Sequence, residues 1–371
     1  MQLFKLKSRL HRFDTFAEFA KEFQIGADDV VVTNEFIYEP FMKPLGLQSR
    51  FIFQEKYGVG EPSDEMMNAM LQEIKKYEFK RIIAVGGGTV IDISKLFVLK
   101  GIDNVVDAFE RRVDLIKEKE LVIVPTTCGT GSEVTNISIA ELKSLGTKKG
   151  LAVDELLADD AVLIPEMIKT LPYKFYVYSS IDALIHATES FVSPKSNPYT
   201  ELYAIEAIRI IVGIYQNIVA KGEAYRMECL DEMLMASNYA GIAFGNTGVG
   251  AVHAMSYPLG GTYHVPHGES NYQFFTEIFK YYQKKNPTGR IVRLNKIYAE
   301  LLGTTPDKVY DELEKLLGNL LSKNRLSTYG MKESEIESFA DSVIAGQQRL
   351  LANNYVELSR DEIRDIYKAL Y

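Results

Sequence analysis

The feature that most narrows what this chain can fold into is a change of pattern at Leu171-Pro172. Before it, apolar runs of strand length alternate with stretches of helical period. Asp29-Val-Val-Val-Thr33, Arg50-Phe-Ile-Phe53, Arg81-Ile-Ile-Ala-Val85 and Leu121-Val-Ile-Val-Pro125 are near-continuous apolar runs, as in parallel strands covered on both faces. Gln2 to Leu6 is a candidate edge strand. Phe13, Phe16, Ala17, Ala20 and Phe23 fall at helical spacing, with Asp14 or Thr15 as a cap. A second helix starts at Pro62-Ser-Asp and runs through Met66, Met67, Met70, Leu71 and Ile74, methionines whose spacing marks them as core. After Leu171-Pro172 strand-like runs become scarce. Segments near 178–193, 198–219, 226–246, 270–283, 288–303, 306–322, 332–353 and 360–370 read as helices. The sequence therefore predicts an α/β domain over 1–173 followed by an all-α domain over 174–371.

Two loops in the first part have the chemistry of a nucleotide site. Gly86-Gly-Gly88 and Thr89 follow a parallel-type strand and open a helix, where backbone N–H groups meet a phosphate and a Cβ would keep the chain away from it. The turn is neither a Gly-x-Gly-x-x-Gly fingerprint nor a Walker A loop, and by itself it suits a tight structural turn as well. The second loop, Thr126-Thr-Cys-Gly-Thr-Gly-Ser-Glu133, is rich in hydroxyl donors and also follows a strand. Two such loops suit a nucleotide lying across the carboxyl ends of a sheet. Lys149, just before Leu151-Ala-Val, is a further candidate for a phosphate or ribose, the ordinary alternative being a solvated lysine.

Four of the five histidines lie in two windows of the second part. Asp182 and His186 are four apart in a helical segment, so they stack on one face and can grip one ion. Such a pair alone would equally suit a hydrogen-bonded core. His253 and His267, some seventy residues on, tip the balance to a metal site of Asp182, His186, His253 and His267. Pro258-Leu-Gly-Gly261 is expected to break the helix between His253 and His267. His264, three before His267, is expected to line the pocket.

Lys plus Arg is 42 and Asp plus Glu is 50, a net charge of −8. An acidic chain lacks the basic face that nucleic-acid binding requires. No apolar run approaches the roughly 20 residues of a membrane span. Two lone cysteines, Cys128 and Cys229, and a start without an apolar leader suit a cytoplasmic protein.

Gly86-Gly-Gly-Thr-Val-Ile-Asp92, Pro125-Thr-Thr-Cys-Gly-Thr-Gly-Ser-Glu133, Asp182-Ala-Leu-Ile-His-Ala-Thr-Glu189 and His253-Ala-Met with Pro266-His-Gly268 resemble, in order and across nearly the whole chain, the iron-dependent (group III) alcohol dehydrogenases. Within that family the chain is most similar to the 4-hydroxybutyrate dehydrogenases. The resemblance implies a Rossmann-like N-terminal domain and a helical C-terminal domain, the architecture shared with dehydroquinate synthase. It implies a cleft where metal and nicotinamide meet. It implies Fe²⁺ on Asp182, His186, His253 and His267, although three imidazoles and a carboxylate also suit Zn²⁺. It places pyrophosphate on Gly87, Gly88 and Thr89, and the nicotinamide side on Thr126, Thr127, Thr130 and Ser132, with Lys149 also holding cofactor. It implies hydride transfer between NAD(H) and a primary alcohol, 4-hydroxybutyrate first, and, with an open edge strand, a homodimer.

Two positions depart from the family pattern. Asn34 stands where many relatives carry an acid that bonds the adenosine ribose; it repels no 2′-phosphate, so NAD is favoured over NADP without being enforced. Tyr257 stands where many relatives carry a second histidine. A tyrosine has a pKa of about 10 against about 6.5 for histidine, which makes it the poorer proton relay near neutrality and leaves His264 or water to share the task. A lyase like dehydroquinate synthase would need several Lys and Arg residues in the ligand windows, which are nearly free of them. A nucleotide-sensing module would need a closed, purely structural metal.

Overall fold

Both faces of the apolar runs are covered, which is why they show no polar alternation. The computed structural model describes residues 2–371, in two compact units: Leu6–Leu171, and residues 2–5 with Pro172–Tyr371. In the first unit the strands are β1 (Arg9–Arg12), β2 (Asp29–Thr33), β3 (Arg50–Phe53), β4 (Arg81–Gly86), β5 (Glu120–Pro125), β6 (Ile137–Leu142), β7 (Thr147–Ala152) and β8 (Asp160–Leu163). Six of them form one parallel sheet in the order β1-β8-β5-β4-β2-β3, while β6 and β7 pair as an antiparallel ribbon. The helices are α1 (Phe16–Glu22), α2 (Glu35–Phe41), α3 (Asp64–Ile74), α4 (Gly88–Leu96) and α5 (Val105–Phe109). Val31, Ile83, Val85, Val122 and Val124 pack with Phe16 and Phe19 on one face. Val30, Val32, Ile82, Ala84, Leu121 and Ile123 pack with Met66, Met67 and Met70 on the other. Each of these Val, Ile, Leu, Phe and Met side chains contributes about 1.5–3 kcal/mol by burial. This is the α/β arrangement expected from the sequence.

The chain leaves β2 for β3 on one side and β4 for β5 on the other. That reversal opens a crevice at the carboxyl ends of β2 and β4, the place where open α/β sheets take ligands. Gly86 closes β4, and Gly87 is the N-cap of α4. A Cβ on Gly86 would stand 2.5 Å from Cβ of Val90, so only glycine lets the helix start so close to the strand.

The edge strand is Arg9–Arg12, not residues 2–6. Asp160 of β8 fixes it, accepting from Arg9 Nε at 2.7 Å and lying 2.7 Å from His11 Nε2. Residues 2–5 join the helical unit instead: Phe4 stacks on Tyr203, and Asn197 Nδ2 donates to the Leu3 carbonyl at 2.8 Å. The first helix starts at Phe16, after the Thr15 cap, and leaves Phe13 outside it.

The second unit is helical, as expected. It contains α6 (Tyr173–Val192), α7 (Pro198–Lys221), α8 (Leu230–Thr247), α9 (Ala251–Tyr263) and α10 (His267–Lys285), then longer helices at Arg290–Leu302, Val309–Leu320, Ile336–Gly346 and Arg360–Leu370. By length and composition α7 is apolar enough to cross a membrane, although polar residues interrupt every apolar run in it. Its residues Ala204, Ala207, Ile208, Ile211, Val212 and Tyr215 are buried within the unit. Arg209 sits at its centre, where a charge in a bilayer would cost about 2.5–3.5 kcal/mol. Both facts fit a core helix. Pro258 does not break α9, which runs on to Tyr263. A proline inside a helix costs about 3 kcal/mol, but Val252, Met255 and Leu259 are fully buried along α9 and together outweigh it. The chain turns at His264, whose φ of 53° is left-handed, just ahead of Pro266.

Within the first unit a buried ion pair ties α4 to the loop after β5. Lys95 Nζ donates to Ser132 Oγ and to the Ile137 carbonyl, each at 2.7 Å, and lies 3.8 Å from Asp92 Oδ1. Burial draws the Lys95 amine down to about 8, against the pull of Asp92. Replacing Lys95 by Met should strand Asp92 without its cation. Urea unfolding is then expected to show a loss of about 3–5 kcal/mol; a loss under 1 kcal/mol would mean the pair carries no such weight.

Candidate functional site

Helix α6 presents Asp182, His186 and Glu189 at positions i, i+4 and i+7, one stripe on one face. All three are buried. His253 comes from the first turn of α9 and His267 from the first residue of α10. One candidate ligand atom from each of Asp182, His186, His253 and His267 lies within 4.8 Å of every other. His186 Nε2 and His253 Nε2 are 3.0 Å apart, and Asp182 Oδ1 lies 3.9, 3.5 and 3.8 Å from Nε2 of His186, His253 and His267. Ligand atoms at about 2.0–2.2 Å from one ion in a tetrahedral set stand about 3.3–3.6 Å apart. The cage is therefore close to the size an ion imposes.

Two residues absent from the sequence-based set orient these ligands. Glu189 Oε2 lies 2.7 Å from His253 Nδ1, while its Oε1 accepts from the Val252 N–H at 2.8 Å. A carboxylate can only accept, so Nδ1 carries a proton and Nε2 faces the cage. Asn271, one turn after His267, donates from Nδ2 to Asp182 Oδ1 at 2.7 Å, and the Ser256 hydroxyl bonds its carbonyl oxygen. The His186 ring is held flat between Phe244 and His253, with centroids at 4.1 and 4.7 Å. Gly268 makes the assembly possible. A Cβ there would meet the Tyr178 carbonyl oxygen at 2.4 Å, so only glycine lets the start of α10 touch α6.

The charges are strongly coupled. Burial alone would raise the Asp182 carboxyl, but His186, His267 and His253 hold it well below the usual carboxylate range. Burial opposes protonation of His253, yet hydrogen bonds to Asp182 and Glu189 push it up to about 9. Three of the four cage residues are almost sealed, whereas the His267 side chain is about a third exposed (32%). The cage is open on that side.

The remaining histidine and the tyrosines fall unevenly. The Tyr257 ring stands 6.2 Å from that of His267. His264 is exposed at the end of α9 and is not one of the four cage residues. The Tyr263 hydroxyl donates to Glu335.

In the first unit the glycine turn leaves the N-terminus of α4 without a side-chain cap. A Cβ on Gly88 would come within 3.1 Å of Thr130, and one on Gly87 within 3.4 Å of Thr127. Thr127 Oγ1 is buried without a partner, the state of a hydroxyl that a bound group would satisfy. Thr126 donates its N–H to the Gly86 carbonyl at 3.0 Å, Thr89 its hydroxyl to the Gly60 carbonyl at 3.0 Å, and Thr130 Oγ1 accepts from the Ser132 N–H at 3.3 Å. Two further residues expected at the cofactor have partners within the unit. The buried Ser132 hydroxyl donates to Asp92 and accepts from Lys95, so it ties the loop rather than facing it outward. Lys149 lies within β7 and is paired with Glu110 at 2.5 Å. The side chain of Asn34 does not cap α2 but bonds Glu55 at 2.9 Å.

Comparison with known proteins agrees with this picture. Residues 8–165 match the iron-containing alcohol dehydrogenase family, and residues 176–371 match the C-terminal part of the Fe-containing alcohol dehydrogenase family. The chain is 58% identical over 371 residues, the full length of both, to the 4-hydroxybutyrate dehydrogenase of Clostridium kluyveri. It is 32% identical to long-chain-alcohol dehydrogenase 1 of Geobacillus thermodenitrificans, covering 94% of this chain and 91% of that one. The crystal structure of sulfoacetaldehyde reductase from Bifidobacterium kashiwanohense in complex with NAD⁺ superposes with a TM-score of 0.85 at 23% identity, over 100% and 99% of the two chains, and shares the fold.

Two substitutions test the construction of the cage. Glu189→Ala should weaken metal affinity about 10–100-fold in competition with a chelator, because His253 loses the group that aims it; an unchanged affinity would remove Glu189 from the site. Gly268→Ala should force α10 away from Tyr178 and part His267 from Asp182. Its metal content on elemental analysis is expected to fall well below that of the unaltered chain, and full occupancy would show the close contact is not needed.

Proposed function

Because the chain belongs to the iron-containing alcohol dehydrogenases, a family of metal-dependent alcohol oxidoreductases, we propose that it interconverts 4-hydroxybutyrate and succinate semialdehyde with NAD(H). The observation that carries the metal-dependent part is the convergence of four ligand atoms from three helices. The choice of substrate rests on the identity of 58% over the full length to the Clostridium kluyveri enzyme. Asp182, His186, His253 and His267 would hold Fe²⁺, with Zn²⁺ the second candidate. Gly86, Gly87, Gly88 and Thr89 would hold the pyrophosphate through backbone N–H groups, with Thr126, Thr127 and Thr130 alongside. A short-chain alcohol or diol is the alternative substrate.

When bound, the ion supplies a Lewis acid for the alcohol or carbonyl oxygen, and the nicotinamide C4 carries the hydride. The protein does the rest. Asp182 cancels charge in the cage, Glu189 fixes the His253 tautomer, and Asn271 holds Asp182 in place. The exposed side of His267 leaves a path for substrate, as in a catalytic rather than a closed structural site. Tyr257 is the proton carrier we favour, since its ring lies beside His267, whereas His264 is exposed. The open edge at β1 suits pairing of two copies into a dimer, and we place the protein in the cytoplasm.

The test is a substrate panel. Protein loaded with Fe²⁺ without oxygen is mixed with NAD and either 4-hydroxybutyrate or simple primary alcohols, and NADH absorbance is followed. We expect the fastest rise with 4-hydroxybutyrate and none after the metal is chelated. A faster rise with ethanol or butanol would overturn the substrate, and no rise with any alcohol would overturn the reaction.

A further inference from the structure

Asn34 stands where many relatives carry an acid, and a carboxylate from the end of another strand lies beside it. Asn34 directly follows β2, whose residue Val32 pairs with Ala84 of β4, so Asn34 stands level with Gly86 one strand away. Adjacent strands lie about 4.8 Å apart. In sheets of this kind the group at that place faces the adenosine ribose of a dinucleotide whose pyrophosphate rests on the glycine turn. On the other side β2 pairs with β3, Thr33 opposite Phe53, and the chain continues past Phe53 into Gln54 and Glu55.

Glu55 reaches back over the end of β2. Its Oε2 accepts from Asn34 Nδ2 at 2.9 Å, and its Oε1 accepts from the N–H of Glu35. Gln54 closes the other side, with Oε1 3.2 Å from Asn34 Nδ2 and Nε2 donating to the Gly58 carbonyl at 2.8 Å. Two hydrogen bonds thus fix the carboxylate. Among the described residues it forms no ion pair, and the neighbouring Lys56 lies over the Phe53 ring at 4.5 Å. A carboxylate without an ion-pair partner thus sits beside Asn34.

We propose that Glu55 is the specificity-determining residue for the nucleotide, its carboxylate accepting from the adenosine ribose and excluding a 2′-phosphate, so that the chain takes NAD and rejects NADP. The proposal rests on the nicotinamide reading above. It assigns Asn34 a different task, that of holding Glu55 in place through Nδ2.

The experiment measures dissociation constants for NADH and NADPH by fluorescence, without turnover, in the unaltered protein and in Glu55→Gln. Glutamine keeps an acceptor for the Glu35 N–H, removes the charge, and gives up the oxygen that takes Asn34 Nδ2. In the unaltered protein NADH should bind more tightly. In Glu55→Gln the ratio of the two constants should move toward NADPH by about tenfold or more, as expected when a like charge a few ångströms from a phosphate is removed. A ratio that moves less than about threefold, or an unaltered protein that binds both equally, would overturn the role of Glu55 while leaving the dehydrogenase intact. Failure to bind either nucleotide would overturn both. If Glu55→Gln does not fold, salt decides on the unaltered chain. Repulsion predicts that the gap between NADH and NADPH narrows as ionic strength rises, and a gap indifferent to salt contradicts it.

Discussion

A carboxylate buried among imidazoles is the constraint on which the helical unit depends. Asp182 is 2% exposed. An isolated charge at that depth costs several kcal/mol, and only a nearby positive charge and hydrogen bonds make it tolerable. His186, His253 and His267 surround it, and Asn271 donates to it. The positive charge has two possible forms, protons on the imidazoles or a metal ion between them. Raising His253 to about 9 is the protein's answer when protons do the work. The ligand atoms converge on one small volume, the arrangement that a shared ion requires.

Much of the surrounding architecture can be read as what brings those atoms together. The i, i+4, i+7 stripe on α6 supplies two ligands and the group that aims a third. Helices α9 and α10 are stitched by the Ser270 hydroxyl on the Ser256 carbonyl at 3.0 Å. Gly268 removes the one Cβ that would hold α10 off α6. In the α/β unit glycine has a related task at Gly86, where it lets α4 begin against its own strand. In both places the residue matters for the contact it permits, not for flexibility.

The sequence disclosed the elements that depend on local pattern. The parallel strands appear as unbroken Val and Ile runs, and the Asp182–His186 pair follows from one helical turn. The histidine windows at His253 and His267 stood out because the chain has only five histidines. Glu189 lay on the same stripe, but a glutamate at helical spacing is too common to single out. Asn271 could have been found as the residue four after His267. What the pattern could not give was the direction of a side chain. Ser132 and Lys149 have the right chemistry for a cofactor, yet one is drawn inward by Asp92 and the other is held by Glu110. Pro258 looked like a helix end, but burial around it outweighed the lost hydrogen bond. Glu55 was hidden for another reason: its nearness to Asn34 comes from the pairing of β2 with β3, which no local pattern encodes.

The most direct measurement is X-ray absorption at the iron edge on protein purified and loaded without oxygen. One iron per chain is expected, with a shell of three imidazole nitrogens and a carboxylate oxygen at about 2.0–2.2 Å. A spectrum with fewer than three imidazoles, or a protein that retains no stoichiometric divalent ion at all, would contradict the claim that Asp182, His186, His253 and His267 form one metal centre.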